Sequence, residues 1–262
     1  MDDLARIHGT PADIRARARN GLLTGNTAAL ASGYVQANIA IVRRAHADAF
    51  ADYCLANARA CPLLTRSEPG DPTLPALGDG IDIRHDLPRY RVYRDGTPTE
   101  AFHIADVWRD DFVTFAIGCS FTFDNALLAE GVPLRHVALG RNIAMYRTDR
   151  DTVAVGRFGG KLVVSMRPFA RQDAARAVAI SAAFDDQHGA PVHCGDPAAL
   201  GIADLQRTDY GDPVPVDPDD VTLFWACGVT SQTALQAAGL PLFISHAPGS
   251  MLVTDRRHGA AG

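Results

Sequence analysis

No apolar run in the 262-residue chain reaches the roughly 18 residues needed to span a bilayer, so no transmembrane helix is expected. The opening Met1-Asp2-Asp3-Leu4 is acidic and lacks the basic start and apolar stretch of a signal peptide. A basic excess is also missing. The formal net charge of −5 and the absence of a basic helix argue against nucleic acid or a membrane surface as partner. Cysteine is sparse: Cys54, Cys61, Cys119, Cys194 and Cys227 are odd in number, scattered and without C-x-x-C spacing. That pattern suits reduced thiols in a cytoplasmic protein, not a disulfide frame or a zinc knuckle. P-loop, G-x-G-x-x-G and H-E-x-x-H motifs are absent, so nucleotide and zincin readings have no support. No organic cofactor is expected. No metal is expected either, because His193, Asp196, His246 and Asp255 stand at no recognised ligand spacing.

What is present is ordinary globular material, 47% hydrophobic and 21% charged, enough for a sizeable core. Thr10-Pro11-Ala12-Asp13 predicts a helix start, with a hydroxyl cap, proline in the first turn and an acidic residue at the positive end. Asn20-Gly21 predicts its stop. A second helix is predicted over about 45–58. Residues 68–88, rich in Gly, Pro and Asp, read as a long ordered loop of the kind that often carries function. Strands are predicted at 90–93, closed by the turn Asp95-Gly96, and at 112–117, 161–166, 221–227, 242–245 and 251–254. Helices are predicted over 172–184, 197–205 and 231–238, a linker over 212–220 and a frayed tail after the last strand.

An internal repeat stands out. CSFTFDNALLAEGVPL from Cys119 and CGVTSQTALQAAGLPL from Cys227 align without a gap and share eight of sixteen residues. Each copy follows an apolar strand and leads into a helix closed by Gly-x-Pro. Such a turn gathers unpaired N–H groups and the positive helix end, so two of them can grip two carboxylates. The plainer reading is a packing unit, with small residues that let the helix lie close.

At these residues the chain resembles the D-glutamate cyclase family, whose members are also described as hydro-lyases. The resemblance rests on GYVQANIAIV from Gly33, CPLL from Cys61, PGDP from Pro69 and DIRHDLPRYRVYRDG from Asp82. It continues through WRDDFVTFAIGCSFTFD from Trp108, GRNIAMYRT from Gly140, FGGKLVVSMRP from Phe158 and HGAPVHCGDPAALGIADL from His188. FWACGVT from Phe224 and SHAPGSMLVTD from Ser245 complete it. Ser250 stands where a second histidine is common in the family, and Asp124 where glutamate is common. The resemblance implies conversion of D-glutamate to 5-oxo-D-proline and water. It also implies a two-part α/β fold, a larger three-layer unit beside a smaller two-layer α+β unit. The expected division is 1–134 with 216–262 for the larger domain, carrying both repeat copies in one sheet, and 135–215 for the smaller one.

Ring closure on a carboxylate needs charge neutralisation and proton transfer. Arg89, Arg141 and Arg167 are the preferred carboxylate ligands among many arginines, each of which could equally be a surface ion pair. His246, His193 and Asp196 are the acid–base candidates; Asp196 is equally suited to cap the helix at Pro197. Cys119 sits where a helix end lowers a thiol pKa, yet it reads as readily as a small packing residue. Ser120, Thr122, Cys227 and Thr230 complete the expected binding set around a small acidic substrate. Three readings stay open: a lyase on D-glutamate or another small amino or hydroxy acid, a non-catalytic binder of an acidic metabolite, and an acyl-transfer enzyme using Cys119. Self-association is open too.

Overall fold

A computed structural model describes residues 9–258; of the tail expected to fray after residue 254, residues 255–257 instead continue the last strand, and 259–262 lie outside the described residues. Helix α1 (Pro11–Arg19) starts on Thr10 with a reciprocal capping box to Asp13 and ends at Asn20, as its sequence dictates. Strand β1 (Tyr34–Arg43) is buried almost throughout, and α2 (Arg44–Ala56) and β2 (Leu63–Arg66) follow. Residues 67–89 hold no helix or strand. They lay Leu74, Leu77, Ile81, Ile83 and Leu87 on the sheet, with Ile39, Ile41 and Tyr90 in the same cluster. The long loop is therefore a covering layer of the core and not a functional flap. Buried Asp86 ties it to Arg15 and Arg19 of α1.

The hairpin β3 (Tyr90–Arg94) and β4 (Thr97–Ala101) turns on Asp95 and Gly96, both with positive φ. Then come β5 (Phe112–Gly118), α3 (Phe121–Ala129), α4 (Arg135–Ala138) and β6 (Ala144–Asp151). The chain continues with β7 (Lys161–Phe169), α5 (Arg171–Ala182), β8 (His193–Cys194) and β9 (Val221–Ala226). It closes with α6 (Val229–Ala237), β10 (Leu242–His246) and β11 (Leu252–Arg257). One sheet runs β2-β5-β1-β10-β3-β4 with β11 also on β1; the other runs β6-β7-β9-β8. The mixed α/β, two-part architecture is thus present. Every strand pairing between named strands is antiparallel, although β5 alone reads like a parallel core strand.

The two repeat copies do not share a sheet. β5 belongs to the larger sheet and β9 to the smaller. Their kinship is nonetheless deeper than sixteen residues. With the β3–β4 hairpin and α4 set aside, the order β1-α2-β2-β5-α3-β6 recurs as β7-α5-β8-β9-α6-β10/β11. Register agrees as well: Ala37 faces Gly118 where Val164 faces Ala226, each one residue before the repeat cysteine. After its cysteine each half crosses over. Helix α6 packs with α2 on the larger sheet, and α3 packs with α5 on the smaller. The last strands cross too, β11 onto β1 and β6 onto β7. The smaller sheet consequently needs β9, beyond residue 215, to form.

Gly118 ends β5 against the 185–187 turn, and a Cβ there would collide with the Asp186 carbonyl. Gly118→Ala is expected to lower stability by about 1–3 kcal/mol or more, the usual cost of overpacking a core. Urea denaturation against wild type measures it, with Gly131→Ala, which has open space but positive φ, as a strain-only control.

Candidate active site

Both crossovers pass through one narrow pocket. Its walls are the matched turns Cys119-Ser120-Phe121 and Cys227-Gly228-Val229, and between them lie Asn38, Met145, His246 and Met251. The turns have the same shape, since Ser120 and Gly228 both take φ −60° and ψ −19° before their helices. Register relates the methionines: Met145 faces Ser165 on β7, and Met251 leads β11 beside Asn38 on β1. Strands β10 and β11 both run along β1, and residues 247–251 bulge out between them. Pro248 and Gly249 of that bulge roof the pocket. A second loop is pinned to it, with Thr27 N–H donating to the Gly249 carbonyl at 2.8 Å. Ala29 and Ala31 in this second loop take positive φ, an unusual state for residues with a Cβ.

Each hydroxyl of the repeat threonines is committed to the fold. Thr122 Oγ1 accepts from Gln36 N–H of β1 at 3.0 Å, and Thr230 Oγ1 accepts from Val163 N–H of β7 at 3.0 Å. Both are fully buried and neither lines the pocket, so they hold the turns to the strands instead of facing a substrate. Ser120 and Cys119 do line it, with Cys227 and His246.

His246 ends β10 with its ring fully buried. Its Nδ1 lies 3.1 Å from Ile39 N and 3.2 Å from the Ile39 carbonyl, and Gln232 Nε2–H donates to the ring Nε2 at 3.1 Å, which leaves the ring proton on Nδ1 toward the Ile39 carbonyl. Burial, with some help from Arg91, lowers the His246 pKa to about 4, so the ring is neutral near pH 7. His188 is a pocket residue that the sequence reading passed over. Its Nδ1–H donates to the Arg59 carbonyl at 3.0 Å, and burial first, then Arg167 and Arg59, bring its pKa to about 4. Its φ of 79° is a strained value for a histidine. The following Gly189 was the signal in the sequence, marking a tight turn in a loop already quoted for its histidines.

No arginine lines the pocket. Arg167 is fully buried behind Ser120, donating to Ser120 Oγ at 2.9 Å and to both oxygens of Asp124 at 2.6 and 2.7 Å. Its guanidinium stacks on the Phe123 and Trp225 rings at 4.8 and 5.0 Å. Arg167 and buried His136 hold the Asp124 carboxyl below its usual range despite burial. Arg167 thus reaches the pocket only through Ser120. Arg89 pairs with half-exposed Glu100, and Arg141 donates to the Pro213 carbonyl at the surface. His193 and Asp196 sit on the edge strand β8 and the turn after it, away from the pocket. His193 meets the Asp196 carbonyl, and Asp196 caps the 3₁₀ turn Pro197–Leu200. Among the described residues no group of three His, Cys, Asp or Glu side chains is placed to hold a metal ion.

Burial raises both pocket thiols, Cys227 to about 11 and Cys119 further, while the Phe121 and Val229 N–H groups at the two helix ends oppose the rise. The site is therefore a narrow, mostly apolar pocket with two thiols, two neutral imidazoles and two sets of helix-end N–H groups. It can bind negative charge and pass protons, and it offers no free cation.

Residues 113–255 match the family model described as D-glutamate cyclase. The chain belongs to the D-glutamate cyclase family. A provisionally named hydro-lyase of Cupriavidus taiwanensis is 54% identical over 94% of this chain and 92% of its own. One from Rhizobium johnstonii is 53% identical over 95% and 93%, and one from Bordetella petrii 53% over 94% and 94%. Among solved structures, a nitrogen repressor-like protein of Methanococcus jannaschii covers 93% of this chain and 97% of its own. Its TM-score of 0.39 and 12% identity are too slight to carry an argument. No helix among the described residues is long and apolar enough to cross a membrane.

Two outcomes follow from this site. Thr230→Val and Thr122→Val are each expected to cost about 1–3 kcal/mol, because each leaves a buried strand N–H without its acceptor. Urea melts against wild type check this. The two depressed histidines also set a pH dependence. Unfolded chains bind protons on them near pH 6.5, whereas the folded protein does so only near pH 4. Stability should therefore be complete above about pH 6.5 and fall as pH drops toward 4, by on the order of a few kcal/mol per histidine. Melts from pH 8 to pH 4 test the sign, and His188→Gln or His246→Gln should flatten the curve.

Proposed function

We propose that this member of the family converts D-glutamate to 5-oxo-D-proline and water. The observation that carries the reading is the meeting of two equivalent helix N-termini in one pocket. Glutamate has two carboxylates, and each helix end offers N–H groups and the positive end of a dipole to one of them. With no arginine lining the pocket, these backbone groups are the source of charge neutralisation. Once the γ-carboxyl is so held, the amine attacks it, the C–N bond closes the five-membered ring and one carboxyl oxygen leaves as water. Proton traffic falls to His246, neutral near pH 7 and fixed by Ile39 and Gln232, with Cys119 as the neighbouring donor. Ser120, oriented by Arg167, adds a hydroxyl at the first turn.

The pocket as it stands has room for water centres over about 20 Å³, a water or two. A five-carbon dicarboxylate needs the roof loops around Ala28 and Pro248 to open, and residues held in strained backbone states are suited to such gating.

Purified protein incubated with D-glutamate should yield a product lighter by one water, seen by mass spectrometry. His246→Gln should lower kcat by about 10²–10⁴ while leaving the fold intact. D-glutamate left unchanged, with turnover of another small amino or hydroxy acid, would move the activity to a related dehydration. Saturable binding of D-glutamate without any turnover would make the protein a binder.

A further inference from the structure

We propose that the same pocket exchanges the Cα proton of its amino-acid ligand, with Cys119 and Cys227 as acid–base groups on opposite faces. The proposal rests on the reading that the ligand is an amino acid such as glutamate. Ring closure at a carboxyl is a one-sided reaction and needs one proton donor. The pocket instead holds two thiols in equivalent positions. Each is the first residue after its strand, each precedes an identical turn, and each has the N–H two residues ahead directed to its sulphur. Both belong to one apolar cluster with Met145 and Met251, themselves related by register. The halves exchange their helices reciprocally, as a twofold relation does, and the two equivalent cysteines line one pocket.

A twofold axis through a planar carbon exchanges its two faces. A site built on such an axis therefore suits a reaction that treats both faces alike. In the step proposed, one cysteine enters as thiolate and the other as thiol. The Cα–H bond breaks, its proton passes to the thiolate sulphur, and the electron pair moves into the α-carboxylate as an enolate. The opposite thiol then gives its proton to the other face and a new Cα–H bond forms. The thiol and thiolate have exchanged roles, nothing is oxidised or reduced, and the ligand has changed hand. Helix-end N–H groups are placed to stabilise the enolate oxygens. Burial works against the entering thiolate, and the Phe121 and Val229 N–H groups directed at the two sulphurs oppose that effect.

The test is incubation of the wild-type protein with D-glutamate in deuterium oxide. Proton NMR follows the Cα signal, and chiral chromatography follows the hand of glutamate and of any cyclised product. Loss of the Cα proton with appearance of the L form is expected. Cys119→Ser and Cys227→Ser should each slow inversion by about 10²–10⁴. Each should keep wash-out for one enantiomer only, and for opposite enantiomers, a split that a packing role would not produce. Water loss from D-glutamate with the Cα proton fully retained overturns the exchange proposal and leaves the cyclase reading standing. Neither water loss nor exchange overturns both. Undiminished exchange in the Cys119→Ser/Cys227→Ser double variant overturns the assignment to the thiols. The wild-type measurement decides whether exchange occurs even if a serine variant fails to fold.

Discussion

The chain crosses from one half of the molecule to the other twice, and both crossings are made at a cysteine turn. β5 ends in the larger sheet, yet α3 lies over the smaller one; β9 ends in the smaller sheet, yet α6 lies over the larger. Neither half can complete its core without the other's helix and last strand. Backbone approaches side chain or backbone of the other half closely at both turns, and small residues are required there. A Cβ at Gly228 would strike the Asn38 amide, and one at Gly118 would strike the Asp186 carbonyl. The pocket is thus a product of connectivity: the fold is held together where its walls are made.

Arg167 shows how tightly this junction is fastened. It projects from β7 of one half to Asp124 in α3 of the other, with both side chains buried. Removing one partner of such a pair leaves an uncompensated buried charge, commonly about 3–5 kcal/mol. Two further N–H groups go to Ser120 and Ser165, so four of the five donors are engaged within the protein, and aromatic rings cover the guanidinium faces. An arginine in a motif-rich segment looks like a carboxylate ligand in the sequence, but Asp124, in the neighbouring motif-rich segment, is the carboxylate it binds.

Much of the fold was legible where local chemistry decides. The Thr10 cap, the Asp95-Gly96 turn and the apolar runs of β5, β7 and β9 each act over a few residues. The repeat was legible because its identities are contiguous. Strand β1 was not. Gln36 and Asn38 interrupt the apolar run expected of a strand buried on both faces, and they are buried because they satisfy carbonyls of Thr27, Leu30 and Gly118, partners remote from the strand's own pattern. The shared sheet expected for both copies failed for a related reason. Sequence similarity between copies says that they fold alike, not that they pair with one another, and exchange of the last strands is a long-range choice.

The candidate site divides along the same line. Cys119, Ser120, Cys227 and His246 follow directly from strand ends and reach the pocket. Thr122 and Thr230 lie two residues beyond Ser120 and Gly228, about 200° round a 3.6-residue helix, which turns their side chains back toward the strands. His193 and Asp196 sit at an edge that only the sheet order reveals. His188 was hidden because its place depends on the backbone of the other half: the Arg59 carbonyl follows α2, whereas His188 follows α5. A twofold-related molecule takes the members of one pocket from distant parts of its chain. The repeat therefore marks where the pocket forms, and the asymmetric residues between the copies determine what it can do. Asp124 and Gln232 occupy the same repeat position, and the first anchors Arg167 while the second meets His246. One copy thus spends that position on cohesion between the halves and the other on an imidazole facing the pocket, so a duplicated frame carries a site with only one such histidine.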